Sequence, residues 1–172
     1  RASCTISVKD NQAKAGELVI NEIMASNVDE FVSPAFQFDG WIELYNPTDN
    51  AVGLNNLWFS DDATNKKKWR APIDMGPIAA KGYKVVWMDS NKLCHTNVNF
   101  KLNVSGGQLF ISDNNGNIVC EASYPESMER IAYSRTTDGG EEWANTDTPT
   151  PGKTNATASF GTAQLEAPLV KE

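Results

Sequence analysis

The stretch GWIELYNPTDNAVGLNNLWFSDD, residues 40–62, decides the fold of this chain. Residues 41–45 alternate large apolar side chains with residues that tolerate exposure, which is typical of a half-buried β-strand. Residues 46–50 then supply turn chemistry, because Pro47 fixes φ and its Asn and Asp neighbours tolerate tight bends. Residues 57–59 return to extended, aromatic character. This pattern predicts a β-sandwich and contains no arrangement of catalytic residues.

Strand signals continue on both sides of this stretch, and we predict about nine strands in total. Residues 83–88 are the most continuous apolar run and predict a central strand. Asn115-Gly116 predicts a tight hairpin turn, because this pair accepts positive φ. The predicted strands are residues 18–24, 41–45, 57–60, 68–71, 83–88, 100–102, 108–112, 118–124 and 130–134.

Connections and boundaries follow from the segments between these strands. Residues 25–39 form a long connection, which we expect Phe31, Phe36 and Phe38 to anchor on the body. We divide the chain into a leader or linker at residues 1–16, one domain at residues 17–154, and a linker toward a following domain at residues 155–172. The length of 172 residues suits a single domain with flanking segments.

Charge and hydropathy limit the partners of the chain. Its formal net charge is −7, which repels a phosphate backbone, so nucleic acid is not an expected partner. No apolar run approaches the roughly 20 residues of a membrane-spanning helix. The composition, with 40% apolar residues, is that of a globular domain.

Three cysteines offer two kinds of chemistry. Cys94 and Cys120 would form a disulfide in an exported protein, but we favour two buried free thiols because free Cys is often buried. Cys4 follows Ala2-Ser3, as the acylated Cys of a bacterial lipoprotein signal follows small residues, although Arg1 departs from that pattern. Cys4 is therefore either a lipidation site, the only membrane attachment we expect, or an unpaired surface thiol.

Several motifs, taken in order, resemble the lamin tail domain family. Residues 18–25 (LVINEIMA) resemble its opening strand, and residues 41–47 (WIELYNP) resemble its most recognisable strand. Residues 54–61 (LNNLWFSD) are similar to its Leu-x-Gly-Trp segment. Asn56 and Leu57 depart from that segment, because a glycine usually precedes its Trp. Residues 78–86 (IAAKGYKVV) and the hairpin at 106–116 follow. The closing Arg-x-x-Asp-Gly…Trp…Thr-Pro-Gly-x-x-Asn element occupies residues 135–155.

This resemblance implies an all-β, immunoglobulin-like sandwich with Greek-key-type connections. It also implies an accessory module of an exported bacterial protein that is secreted, periplasmic or attached to the cell surface. The closing residues 167–170 resemble the entry to another immunoglobulin-like module, so we expect neighbouring domains of the same polypeptide as partners.

Catalytic candidates are few. His95, the only histidine, stands beside Cys94, but adjacent residues of an extended chain point to opposite sides, so we interpret it as a solvated loop residue. Glu22 and Glu43 would suit glycoside hydrolysis if they converged in a cleft. Otherwise they are solvent-facing or hydrogen-bonded strand residues. We expect no enzymatic activity and no cofactor.

Binding candidates fall into three groups. Asp61, Asp62 and Asp113 offer hard oxygen ligands for calcium, although turn chemistry explains them more simply. Trp69 and Trp143 are the tryptophans that we expect at the surface, where their rings would stack on sugars. The third group is a dense basic cluster, Lys66, Lys67, Lys68, Trp69 and Arg70. Positive charge beside an aromatic ring suits the binding of single-stranded nucleic acid. Lysines at an edge strand also discourage pairing with another sheet.

Two hypotheses remain open. The first is a noncatalytic adhesion, spacer or interaction module of an exported multidomain protein. The second is a module that binds glycan, or less expectedly nucleic acid, and targets an attached enzyme. A resemblance in fold does not choose between them, because function lies in sites rather than in folds.

Overall fold

The computed structural model describes residues 11–90 and 94–161, so Cys4 and the residues after 161 lie outside the described part of the chain. The described residues form eleven strands and two short 3-10 helices, at Ile73–Met75 and Asn155–Thr157. The strands are β1 (Val19–Met24), β2 (Gly40–Tyr45), β3 (Val52–Gly53), β4 (Trp58–Ser60), β5 (Trp69–Arg70), β6 (Pro77–Ile78), β7 (Tyr83–Met88), β8 (Gly107–Ser112), β9 (Ile118–Tyr124), β10 (Ala132–Arg135) and β11 (Trp143–Thr146).

Two antiparallel sheets make up the body. A five-stranded sheet has the order β11-β10-β1-β2-β7, and a four-stranded sheet has the order β5-β4-β8-β9. The short strands β3 and β6 pair with each other. Strands that are distant in the chain, such as β1 and β10, lie side by side, so the chain crosses repeatedly between the layers. These crossings are connections of the Greek-key type that the family resemblance implies.

The hydrophobic core lies between the two sheets. Ile42 and Val86 from the five-stranded sheet belong to the same buried cluster as Phe59 and Ile111 from the four-stranded sheet. A smaller cluster of Met24, Trp41 and Ala132 lies on the other, outer face of the five-stranded sheet. The outer face is therefore covered as well, and it holds the site described below.

A bulge in β1 makes this two-sided burial possible. Ile20 opposes Leu44 and Glu22 opposes Glu43, so Asn21 is an extra residue in the ladder. The bulge changes the phase of the alternation, and Ile20 and Ile23 both join the core although they are three residues apart. Glu22, next to Ile23, consequently faces the outer side.

Eight of the nine predicted strands form, but the total of eleven among the described residues corrects the expected nine. The prediction of a strand at residues 100–102 was wrong, because these residues form an irregular loop. Phe100 and Leu102 are nevertheless buried, which explains the apolar alternation. Strands β3 and β6 were missed because each contains only two residues. Strand β11 was missed because its sequence, WANT, has no apolar alternation.

The connection between β1 and β2 is held mainly by its own hydrogen bonds. Phe31 packs edge-on against Trp41, with ring centroids 5.8 Å apart, as predicted. The expectation that Phe36 and Phe38 are anchors was wrong, since they are 87% and 47% exposed. Asn27 replaces them, because its Nδ2 donates to the carbonyl oxygens of Phe31 and Asp39 at 2.6 and 2.9 Å.

Both ends of the described chain contact the body. Gln12 forms a bridge with Gly53, and Ala13 is buried. Asn155 is buried, and the Thr146 hydroxyl donates to the Ser159 carbonyl oxygen at 2.8 Å. These contacts run past the predicted boundaries at residues 17 and 154. No helix in the described ranges has the length and apolar character that crossing a membrane requires.

Phe36 adopts a left-handed backbone conformation, with φ of 58°, although its side chain is almost fully exposed. This conformation is energetically unfavourable for an L-residue with a bulky side chain, whereas Asn tolerates it. We expect Phe36→Asn to raise the free energy of unfolding by about 1 kcal/mol, measured by urea denaturation. Phe38→Asn is the matched control, because Phe38 is exposed at negative φ, and an equal gain there would contradict the explanation.

Candidate functional site

The outer face of the five-stranded sheet holds two facing glutamates. Glu22 on β1 and Glu43 on β2 lie directly opposite each other in the ladder, and neither has any exposed surface. Glu22 accepts a hydrogen bond from the Ser134 hydroxyl at 2.8 Å, and Glu43 accepts one from Asn21 Nδ2 at 3.0 Å. Such partners are essential because a buried carboxylate has lost its hydration.

A single segment after β11, residues 147–155, covers both carboxylates, and we call it the closing segment. The main-chain N–H of Thr150 is shared between the two oxygens of Glu22, each at 3.2 Å. The main-chain N–H of Gly152 donates to Glu43 Oε2 at 2.6 Å. The carboxylates therefore bind the backbone of a segment that is more than 100 residues away in the chain.

Asn155 fastens the end of the closing segment to the sheet. Its side chain has no exposed surface. The Nδ2 group donates to the carbonyl oxygens of Arg135 and Asn21, at 2.7 and 3.3 Å, and Oδ1 accepts from the Thr150 hydroxyl at 3.0 Å. One amide thus joins β1, the end of β10 and the closing segment.

Asp138 is the third carboxylate of this region, in the loop between β10 and β11. It accepts hydrogen bonds from Asn21 Nδ2 at 3.0 Å, from the Tyr83 hydroxyl at 2.7 Å and from the main-chain N–H of Asn155 at 2.9 Å. The Thr154 hydroxyl also donates to it. Glu22, Glu43 and Asp138 together are called the carboxylate cluster below.

The sequence of this sandwich matches a known protein family. The sequence profile described as Lamin Tail Domain matches residues 11–126, more than half of the chain. This chain belongs to the lamin tail domain family. The predicted immunoglobulin-like β-sandwich is confirmed. A search among curated proteins returns no match.

The matched range covers only part of the carboxylate cluster. It contains Glu22 and Glu43 but ends before Asp138 and the closing segment. In this lamin tail domain residues 127–161 supply β10 and β11 of the five-stranded sheet and hydrogen-bond donors to both glutamates. Residues 127–161 are therefore part of the same body.

Burial controls the protonation of the two glutamates. Loss of hydration raises the pKa of Glu22 to about 7, and the bonds from Ser134 and Thr150 offset only part of this rise. Loss of hydration raises the pKa of Glu43 to about 8, and the nearby charge of Glu22 adds to the rise. Asp138 behaves differently: burial alone would raise its pKa, but its several hydrogen bonds together lower it below the ordinary value.

The two glutamates converge, as the hydrolase alternative required, but they do so beneath the closing segment rather than in a cleft. Each has 0% exposed surface, and the N–H groups of Thr150 and Gly152 point at their oxygens. A sugar cannot approach carboxylates that are covered in this way. The cluster acts by fastening the closing segment to the sheet.

The basic cluster at residues 66–70 is engaged in internal contacts. Three of its cations lie over aromatic rings: Lys66 over Phe110 at 5.0 Å, Lys68 over Phe100 at 4.7 Å, and Arg70 over Trp58 at 5.9 Å. Lys67 Nζ donates to the carbonyl oxygen of Asn114. These contacts leave the cluster less available to a phosphate backbone than the sequence alone suggests.

The two candidate surface tryptophans are half-buried and lie in different sheets. Trp69 packs edge-on against Phe59, with ring centroids 5.5 Å apart. Trp143 stacks on Tyr133 at 5.0 Å, and the Arg135 guanidinium lies 4.6 Å from the centre of the Trp143 ring. The structure does not bring Trp69 and Trp143 together into one binding surface.

The three aspartates considered for calcium have separate structural tasks. Asp61 pairs with Lys68 at 2.6 Å, and Asp62 Oδ1 accepts from the main-chain N–H of Thr64 at 2.8 Å. Asp113 Oδ1 accepts from the main-chain N–H of Asn117 at 2.9 Å within the β8–β9 turn. In the ranges that the structure describes, no group of three or more His, Cys, Asp or Glu side chains is arranged to hold a metal ion.

His95 and Cys94 do not form a pair. The His95 imidazole is exposed and bonds to Asp74, and Cys94 Sγ lies 3.1 Å from the Thr96 hydroxyl. Cys94 and Cys120 are both free thiols, as favoured, although they are half-buried rather than fully buried. Loss of hydration raises the pKa of Cys120 to about 12, so this thiol is not a nucleophile at neutral pH.

The raised pKa values of Glu22 and Glu43 predict that stability falls as pH rises. The folded state keeps two protons that the unfolded state releases near pH 4.5, so their contribution is complete below that pH and is lost as pH rises through about 7 and 8. Asp138 contributes in the opposite direction only near and below its ordinary pKa of 3.8. We therefore expect urea denaturation to give a higher free energy of unfolding at pH 5 than at pH 9.

Glu43→Gln tests whether this dependence comes from the cluster. We expect the variant to lose up to about 1.4 kcal/mol per pH unit of slope between pH 5 and pH 8, whatever its absolute stability. Glu126→Gln is the control, because Glu126 is exposed. This substitution should leave the dependence of unfolding free energy on pH unchanged. A wild-type stability that is flat or rises over this range would refute the raised pKa values.

Asn155→Ala tests the attachment of the closing segment. The substitution leaves the Asn21 and Arg135 carbonyl oxygens and the Thr150 hydroxyl without this partner, so we expect a loss of about 2–4 kcal/mol in the free energy of unfolding. Thr157→Ala, two residues further along and exposed, should change stability by less than about 0.5 kcal/mol. Equal effects of the two substitutions would show that Asn155 is not a special attachment.

Proposed function

We propose that this lamin tail domain is a noncatalytic module that spaces or joins neighbouring domains of an exported, surface-associated bacterial protein. The observation that supports it is that the chain is tied to the body both before β1 and after β11. Before β1, the main-chain N–H of Gly53 donates to Asn11 and that of Ala13 donates to Gly53, at 2.6 and 2.9 Å. After β11, the closing segment is bound by both glutamates of the cluster.

Ties at both ends suit a spacer for a physical reason. A linker that pulls on either end meets backbone hydrogen bonds and buried side chains before it reaches the core strands. The element nearest each end therefore does not detach at low cost, and the module keeps the distance between its neighbours. A spacer that frayed at either end would lengthen under tension instead.

The noncatalytic part of the proposal is supported by the state of the acidic residues. Glu22, Glu43 and Asp138, the three carboxylates that converge, are committed to internal hydrogen bonds. His95 bonds to Asp74 at the surface and is not aligned with Cys94. No nucleophile, base and orienting group come together among these residues.

Mechanical unfolding tests the proposal. The described domain, placed between reference domains in a polyprotein and stretched by atomic force microscopy, should unfold in one step that releases residues 11–159 together. Asn155→Ala should lower the unfolding force, and Thr157→Ala should not. Release of residues 147–159 at low force in the unsubstituted domain would contradict a spacer role.

Location is tested separately. An antibody against this domain should detect the parent protein in the envelope or culture medium of the source cells, and a purely cytosolic signal would contradict export. Labelling with radioactive palmitate, lost in Cys4→Ser, would support the lipid anchor. A targeting module that binds glycan is the alternative function.

A further inference from the structure

Strand β9 forms an open sheet edge. It is the last strand of the four-stranded sheet, and it pairs with β8 on one side. From Cys120 to Tyr124 the ladder with β8 is regular, and alternate residues of such a strand direct their N–H and C=O groups away from the paired side. Among residues 11–90 and 94–161, no strand pairs with that free side. Main-chain groups of this kind are a template for another strand.

The other outermost strands of the two sheets are shorter or partly covered. Strand β5, at the opposite edge of the same sheet, has two residues and follows Lys68. Strand β11 has four residues, and β7 is bridged at Met88 by Val98. Strand β9 has seven residues, so it is the longest edge strand in the described ranges. An edge of this length is usually protected by a covering segment.

The five-stranded sheet extends beyond β9. Strand β9 contacts β1 across the layer between the two sheets. Strands β10 and β11 come next beyond β1 in the five-stranded sheet, whereas the four-stranded sheet ends at β9. The inner face of β10 and β11 therefore has no strand of the four-stranded sheet over it, as far as the described residues show.

Aromatic side chains lie on this inner face. Ala132 belongs to the outer cluster, so Tyr133, the next residue, points to the inner side, where it packs against the core. The Trp143 ring stacks on Tyr133, with centroids 5.0 Å apart. Both rings are only half-buried. They form an apolar floor beside the free edge of β9, which apolar side chains of an added strand would cover.

The described chain begins near the start of β9. A single cavity of about 190 Å³ is lined both by residues 12–15 and by Ile118 and Val119. Strand β9 runs away from this point toward Tyr124, so a strand that led into residue 11 along its edge would be antiparallel to it. The preceding residues 1–10 can span up to about 33 Å when extended, which exceeds the length of about 23 Å of a seven-residue strand.

The sequence before residue 11 contains a strand-like alternation. Residues 5–9, TISVK, place Ile6 and Val8 between residues that tolerate exposure. Ile and Val are branched at Cβ, which favours strands. The tail after residue 161 is a weaker candidate, because it follows the closing segment on the outer face and its apolar run contains Pro168.

We propose that residues 5–9 add to the free edge of β9 as an antiparallel strand, with Ile6 opposite Ala122 and Val8 opposite Cys120. Cys120 and Ala122 pack against the core, and residues directly opposite each other share a face of the sheet. Ile6 and Val8 would then lie on the aromatic floor.

The proposed register is specific. Ser7 would lie opposite Glu121, which is exposed on the outer face of the four-stranded sheet. A slip by one residue would place Ser7 on the aromatic floor and expose both apolar side chains. The inference goes beyond the spacer function, because it adds a fifth strand to the four-stranded sheet.

Nuclear magnetic resonance of the isotopically labelled full chain tests the proposal. We expect short main-chain distances from Ile6 to Ala122 and from Val8 to Cys120. We also expect slow hydrogen exchange at all main-chain amides of residues 120–124, because those that point away from β8 would be bonded to the added strand.

Two substitutions with the same change of charge separate the two faces of the added strand. Ile6→Lys would place a charge on the aromatic floor, so it should remove these contacts and speed exchange at alternate amides of β9 by at least about tenfold. Ser7→Lys is the matched control, because the new side chain would lie opposite Glu121 at the surface and should leave the contacts in place. Unchanged signals of β1 and β10 would show that both variants keep the folded body.

Several results would overturn the inference. They are an absence of contacts between residues 5–9 and β9, contacts of residues 162–172 with β9 instead, or equal effects of Ile6→Lys and Ser7→Lys. A mixture of differently labelled chains supplies the last check, since contacts seen only between chains would assign the added strand to a second copy. The force experiment decides the spacer function separately, through release of residues 147–159.

Discussion

Two carboxylates placed face to face inside a protein must find hydrogen-bond donors, and this requirement organises the lamin tail domain. Glu22 and Glu43 oppose each other on neighbouring strands with no access to water. The donors that satisfy them come mainly from Asn21, Ser134 and the backbone of the closing segment. Because a buried carboxylate without partners is costly, a sheet that places these two residues together is stable only when the segment that covers them is in place.

The bulge at Asn21 connects this requirement with the core. Without the extra residue, Ile20 and Ile23 would point to opposite faces, and one of them would leave the layer between the sheets. With it, both isoleucines are buried in the core, while Asn21 reaches Glu43 and Asp138 on the outer side. One irregularity in a six-residue strand therefore serves the hydrophobic core and the polar attachment at once.

The sequence predicts the parts of this structure that depend on local pattern. Strands such as β7 and β9 were predicted with their observed bounds, because alternation and the Asn115-Gly116 turn are read over a few residues. The bond between Glu22 and Thr150 spans 128 positions, and no local pattern reports it. The motif of Asn21 and Glu22 signalled the family, but the sequence offered Glu22 and Glu43 only as a catalytic pair in a cleft or as solvent-facing or hydrogen-bonded strand residues, and it did not predict their complete burial.

The pairing of β1 with β10 affects how this domain folds during its synthesis. A ribosome releases β1 early, yet the strand that borders it and the segment that covers Glu22 and Glu43 emerge only after residue 131. Until then the nascent chain carries an open strand edge and two hydrated carboxylates, which oppose premature burial of that face. Completion of the sheet waits for long-range contacts, which form slowly. Synthesis must therefore pass residue 155 before this domain can complete its fold.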